Sequence, residues 1–178
     1  MPSCLIRPST ADDLPAIIAI DTDAVLTGTG TGSFETEPPT QTEVARRRDE
    51  VLARGLPWLV AETPGGVPGF ADATPFTRRR AYRFSVEDSV YPHSDARGQG
   101  LGRLLLAELI GRCADCGARQ MLAVIGDSAN SGSFALQRSL GFEPAGRLSG
   151  GGLEFDRWLN VVLTQRALGA GATAAHDA

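Results

Sequence analysis

Between Ser89 and Ala107 the chain reads SVYPHSDARGQGLGRLLLA, and no other stretch narrows its possible folds as much. An alternating, bulky run ends near Pro92. Glycines follow at alternate positions (Gly98, Gly100 and Gly102), and a strong helix-forming run begins at once with Leu101 and Leu104 to Ala107. A strand that feeds a glycine turn at a helix N-terminus presents free backbone N–H groups and the positive end of the helix dipole, and both favour an anion. Glycine lets the backbone approach a phosphate closely and take positive φ. The spacing G-x-G-x-G is not the dinucleotide fingerprint G-x-G-x-x-G, which opens a βαβ unit, and a P-loop needs G-x-x-x-x-G-K-[ST]. The stretch therefore predicts a pyrophosphate-binding turn of another kind, with a plain strand-to-helix turn as the alternative.

The rest of the chain sets the frame for that turn. A length of 178 residues suits one domain, and 42% apolar with 21% charged residues is ordinary for a globular protein. The net charge of −4 argues against a general nucleic-acid binder. No apolar run nears the roughly 18 residues that would suggest a membrane span, and no signal peptide is expected before Arg7. Three cysteines, an odd number, suggest a reducing compartment, with cytoplasm as the default. Cys113 and Cys116 are spaced like a redox or zinc pair but fall late in a helix, with no second ligand pair, so no metal is implied.

Periodicity and turn residues divide the chain in order. A strand is expected at Leu5–Pro8, a helix capped at Thr10 and running to Val25, and a loop over Gly28–Ser33. A second helix opens at Thr40 and stops at Gly55. Strands follow at Trp58–Ala61, Val67–Ala73 and Arg83–Tyr91, then a helix over Leu101–Cys116, a buried strand at Gln120–Ile125 and a helix over Asn130–Leu140. Strands at Phe142–Leu148 and Leu153–Leu163 complete the sheet. The order β-α-α-β-β-β-α-β-α-β-β predicts an α/β (α+β) domain over residues 1–168, with about seven strands in a mixed sheet flanked by about four helices. Residues 169–178, rich in alanine and glycine, are expected to be a disordered tail.

With Arg97, Gly100 and Gly102 as fixed points, the turn resembles the R/Q-x-x-G-x-G/A signature of the GNAT superfamily of N-acetyltransferases. Asn130, Ser133 and the run Leu140-Gly141-Phe142 are similar to a second coenzyme-A segment of that superfamily. Ser33 to Pro38, Pro57 to Ala61, Ala81-Tyr82, Glu87 to Tyr91, Ala123 to Gly126 and Arg157-Trp158 resemble, in the same order, its phosphinothricin and methionine-sulfoximine N-acetyltransferase group. The resemblance spans residues from about 4 to 166. It implies a mixed, mostly antiparallel acetyltransferase sheet, acetyl-CoA as cosubstrate, a small amine substrate bearing a carboxylate, and a possible homodimer. It further implies a coenzyme site of Val90, Tyr91, Arg97, Gly98, Gln99, Gly100, Leu101, Gly102, Arg103, Asn130 and Ser133.

Amine acetylation needs a neutral amine, so some group must accept a proton. The resemblance makes Glu87, on the strand that feeds the turn, the general base. A sheet-face carboxylate that only orients the amine is the alternative. Arg83 and Ser85 share Glu87's face by strand alternation, so Arg83 is the expected carboxylate anchor. Phe34 and Tyr82 match aromatic pocket positions of the group. Arg78 to Arg80 read as a solvated turn, and Arg46 to Arg48 as a solvated helix face.

Two positions depart from the group. Pro92 replaces a valine in the strand whose backbone meets the pantetheine arm, so one N–H is lost and the strand must bulge or end there. Gln137 stands where relatives carry a tyrosine or histidine, and it is a poor acid. Other readings stay open: acetylation of a polyamine, an aminoglycoside or a protein N-terminus, or a coenzyme-A-binding module without turnover.

Overall fold

The computed structural model describes residues 4–27, 35–126, 130–154 and 156–173. The chain forms β1 (Leu5–Pro8), α1 (Leu14–Thr27), α2 (Gln41–Ala53), β2 (Trp58–Thr63), β3 (Gly66–Pro75), β4 (Ser85–Pro92), α3 (Leu101–Asp115), β5 (Gln120–Gly126), α4 (Ser131–Ser139), β6 (Glu143–Glu154) and β7 (Arg157–Ala167). The element order is the one expected from sequence. Among the described residues seven strands make one sheet in the order β1-β2-β3-β4-β5-β7-β6, and of their pairings only that of β4 with β5 is parallel.

Both faces of the sheet are covered, and strand alternation decides which residues go where. On one face Leu59, Ala61, Ala71, Ala73, Val86 and Ala123 pack under α3. The buried stripe of α3 runs Leu101, Leu105, Leu106, Leu109, Ile110 and Cys113, a helical period that lays one side on the sheet. On the other face Trp58, Val60 and Phe70 meet Ile17 and Ile20 of α1 and Val44 and Val51 of α2. Trp58 stacks on Phe70, and Phe70 on Tyr91, along that face. Ahead of α1, Asp13 accepts from Thr10 N at 2.7 Å and pairs with Arg7 at 2.7 and 2.9 Å, fixing the entry from β1.

The parallel pairing of β4 with β5 is short. It runs from Ser85↔Gln120 to Asp88↔Ala123 and stops, while β4 stays paired to β3 as far as Pro92 and β5 stays paired to β7 as far as Gly126. The two strands part like a wedge beyond Asp88. β4 does end at Pro92, in register with Gly69 and without a bulge.

Three expectations need correction. The Arg83–Tyr91 strand starts later: residues Arg80–Tyr82 form a 3₁₀ turn that Arg83 terminates, with its N–H bonded to Arg80 O at 3.2 Å. Arg83 is thus off the strand and does not share Glu87's face. The glycines between Leu148 and Leu153 do not separate two strands; β6 runs through them with a register shift, and the hairpin turns at Asp156, at φ 58°. Finally, residues 169–173, read as the start of a disordered tail, form hydrogen-bonded turns after Leu168, which is buried and bonded to Arg119 O at 2.9 Å. Residues 174–178 lie outside the described residues.

Candidate active site

The glycine turn takes the conformation its residues dictate. Gly98 and Gly100 have φ of 72° and 84°, and Gly100 caps α3. Gly102 is the second residue of α3, where an added Cβ would stand 3.3 Å from Leu136 Cδ2, so glycine here lets α4 close on α3. Asn130 caps α4 by accepting from Ser133 N at 3.1 Å. The N-termini of α3 and α4 therefore open on one cleft of about 390 Å³. Val90, Tyr91, Arg97, Gly98, Gly100 to Arg103, Asn130 and Ser133 line it. The first N–H groups of two helices and the Arg97 guanidinium fit a diphosphate there. Gln99 turns away, its amide bonded to Asp95 O at 2.8 Å. Arg103 reaches the end of α4, donating to Ser139 O at 3.0 Å.

A second cavity, of about 790 Å³, continues from that cleft through the wedge. Ser133, Leu136 and Gln137 of α4 line one end; Val90, Tyr91, Val124 and Ile125 line its passage between the parted strands. Its far end lies on the α1/α2 side, against Asp21, Glu35, Arg47, Asp72, Thr74 and Glu87. Glu87 pairs with Thr74 and Asp72 with Ser89, so Glu87 and Asp72 project from the same face of neighbouring strands. Asp88 projects from the opposite face, where Gln137 Nε2 donates to its Oδ2 at 2.8 Å.

Burial sets the charges of this site. It pushes the Glu87 carboxyl above the ordinary glutamate range, which suits a group that must take up a proton near neutral pH. Asp72 and Asp88 are pushed up to about 7 and Asp21 to about 6, chiefly by loss of water. The Tyr91 phenol is raised by burial and then by the nearby charges of Asp72 and Asp21.

The residues expected at the substrate end fare differently. Ser85 opens β4 and shares Glu87's face by alternation. Tyr82 is half exposed in the 3₁₀ turn, edge-on to Phe76 at 5.9 Å, and does not line the cavity. Arg83 is exposed, its guanidinium 4.3 Å from the Phe84 ring centroid. Phe34 lies outside the described residues. The cations on the cavity wall are instead Arg47, Arg54 and Arg78. Arg47 and Arg48 are not a solvated face: Arg47 pairs with Glu35 and Glu43, and Arg48 donates to Ser9 O at 2.6 Å. A readable signal existed, since Arg47 falls on the helical stripe of Val44 and Val51. Among the described residues no three of His, Cys, Asp and Glu converge on a metal-sized site, and Cys113 is buried in the core.

A mixed sheet split between two parallel strands, with a glycine turn and helix N-terminus at the mouth of the split, defines an acetyltransferase of the GNAT type. The chain belongs to that family: the acetyltransferase (GNAT) family matches residues 19–142. Among characterised proteins, it is 50% identical over 171 residues to phosphinothricin N-acetyltransferase of Alcaligenes faecalis, covering 96% of this chain and 86% of that one. It is 38% identical over 167 residues to the L-methionine sulfoximine/L-methionine sulfone acetyltransferase of Pseudomonas aeruginosa, covering 92% and 94%. The crystal structure of a phosphinothricin acetyltransferase from Sinorhizobium meliloti in complex with AcCoA superposes with a TM-score of 0.91 at 43% identity, covering 97% and 92%.

Proposed function

We propose that this protein transfers the acetyl group of acetyl-CoA to the α-amine of a small amino-acid-like substrate of the phosphinothricin or methionine sulfoximine type. The observation that carries this reading is the continuous passage from the two-helix anion cleft, through the wedge, to a half-buried Glu87. The relatives named above act in the same sense, and the split sheet matches a structure that holds AcCoA.

Bound acetyl-CoA supplies the acetyl thioester. The backbone of Gly98 to Gly102 and the Arg97 side chain hold its diphosphate, the freed edge of β4 at Val90 and Tyr91 receives its arm, and Asn130 and Ser133 close the cleft. Glu87 takes the proton that the substrate's ammonium must lose, directly or through a water. The substrate carboxylate is held by a guanidinium at the cavity wall. Arg78 takes this place, because Arg83 stands outside the lining. Gln137 has no proton to give the departing thiolate, and a coenzyme-A thiol leaves near neutral pH without one.

Residues 1–168 form the catalytic domain. A homodimer is supported by the β6–β7 hairpin, which exposes Leu148, Leu153 and Trp158, the last at 69%. A cytoplasmic setting is supported by the free thiols of Cys4, Cys113 and Cys116. The experiment is release of free thiol from acetyl-CoA over a panel of amines. Methionine sulfoximine and methionine sulfone are the expected substrates. Tight coenzyme binding with no thiol release from any amine would leave a binding module; turnover confined to polyamines or aminoglycosides would place the substrate elsewhere.

A further inference from the structure

Asp72 and Asp21 stand on the substrate wall of the large cavity, and acetyl transfer by Glu87 uses neither. Asp72 sits in β3 within the run Gly69-Phe70-Ala71-Asp72-Ala73, and Asp21 in the middle of α1. They are 6% and 8% exposed, and what exposure they keep faces the cavity. Among the described residues neither carboxylate makes a hydrogen bond or an ion pair. Among the described residues Arg47 is the cation whose field reaches both, and it is committed to Glu35 and Glu43. A buried carboxylate without a donor is costly to keep, and two that share a cavity with an open acceptor face are a site prepared for donors.

Resting on the acetyl-transfer reading, we infer that Asp72, assisted by Asp21, forms a second subsite that binds the N–H-bearing head of the substrate's side chain. Asp72 lies on the strand beside Glu87, one alternation along the same face, so a side chain that extends from the reacting amine passes over it. The head that fits is a donor or a cation: a sulfoximine N–H, an amide or an ammonium. An anionic head, such as a phosphinate, gains no bond from Asp72 or Asp21 and must lie toward the arginines of the wall instead, which makes phosphinothricin the poorer acceptor of the two types. The acetyl acceptors of this chain are therefore sorted by the hydrogen-bonding sense of their side chain.

L-Methionine sulfoximine and L-methionine sulfone test this directly, because they differ only by an N–H in place of an oxygen. At pH 8 the wild-type protein is expected to favour the sulfoximine about tenfold in kcat/KM, the scale of one hydrogen bond to a charged group. The same preference is expected in calorimetric binding without acetyl-CoA. In Asp72→Leu the preference collapses to near unity, and phosphinothricin becomes a better substrate; Asp72→Asn gives a smaller change in the same sense should the leucine variant not fold. Asp21→Asn reduces the preference in part. Equal binding of the two compounds by the wild type, or a preference unchanged in the Asp72 variants, overturns the subsite. Because the binding ratio needs no turnover, a failure of acetylation would overturn the acetyl-transfer reading and still leave the subsite decided.

Discussion

Gln137 of α4 and Asp88 of β4 are buried together at the point where β4 and β5 part, joined by the 2.8 Å bond from Nε2 to Oδ2. The other two oxygens of the pair, Asp88 Oδ1 and Gln137 Oε1, are buried without partners. A proton on Asp88 Oδ1 supplies both needs at once, since the acid then donates to the amide carbonyl while its other oxygen accepts from the amide N–H. Burial holds Asp88 up to about 7, which keeps that proton in place under mildly acidic conditions. Asp88→Asn replaces the O–H by an N–H and should be neutral or stabilising at pH 8. Gln137→Leu leaves the Asp88 carboxyl alone and should cost about 1–3 kcal/mol. Urea denaturation of the two variants checks the contrast.

Replacing Glu87 by glutamine removes the proposed proton acceptor with little change of shape. The expected loss in kcat is about 10²- to 10⁴-fold, with acetyl-CoA binding unchanged. In the wild type the acid limb of the kcat profile should lie above the ordinary glutamate range, because burial raises this carboxyl. Near-normal turnover of Glu87→Gln from pH 6 to pH 9 would reject Glu87 as the base.

Two glycines of the same helix should respond in opposite ways. Gly100 has φ 84°, so Gly100→Ala strains the turn by about 1–2 kcal/mol and should weaken coenzyme-A binding, as calorimetry can measure. Gly111 lies in the body of α3 with open space at its Cβ position. Gly111→Ala should leave binding alone and stabilise the fold by up to about 1 kcal/mol.

Stability should also depend on pH in a fixed sense. Asp21, Asp72 and Asp88 keep protons in the folded chain that the unfolded chain releases near pH 4, so stability falls as pH rises toward about 6 to 7. Asp13 acts oppositely. Arg7 holds it down to about 2, so its contribution is present above roughly pH 4 and lost as pH drops toward 2. Tm should therefore peak where the two windows meet, near pH 4, and Asp72→Leu should flatten the decline above it. A Tm that climbs steadily from pH 5 to pH 8 would contradict this arrangement.

Much of this was legible from residue patterns. Alternate glycines before a leucine-rich run located the α3 turn, and the apolar runs located β2, β3 and β5. Glu87 and Asp88 fall on opposite faces as alternation requires. Arg83 misled because Tyr82-Arg83-Phe84-Ser85 alternates like a strand, while the local backbone closes into a 3₁₀ turn through Arg83 N and Arg80 O. The wedge was not legible at all. It depends on where β4 loses β5, a pairing between segments more than 30 residues apart that no local pattern encodes. Asp72 was visible as a lone carboxylate in an apolar strand, yet only the cavity shows what it faces.

The early end of the β4–β5 ladder has a kinetic consequence. On the proposed reading acetyl-CoA enters from the α3/α4 side of the sheet and the amine from the α1/α2 side, so neither blocks the other's doorway. Among the described residues no cysteine lines the passage between them, and Cys113 is sealed in the core. Both substrates should therefore be bound together before any acetyl moves. Initial-rate plots should intersect rather than run parallel, and a single molecule that joins the two across the sheet should inhibit more tightly than either half.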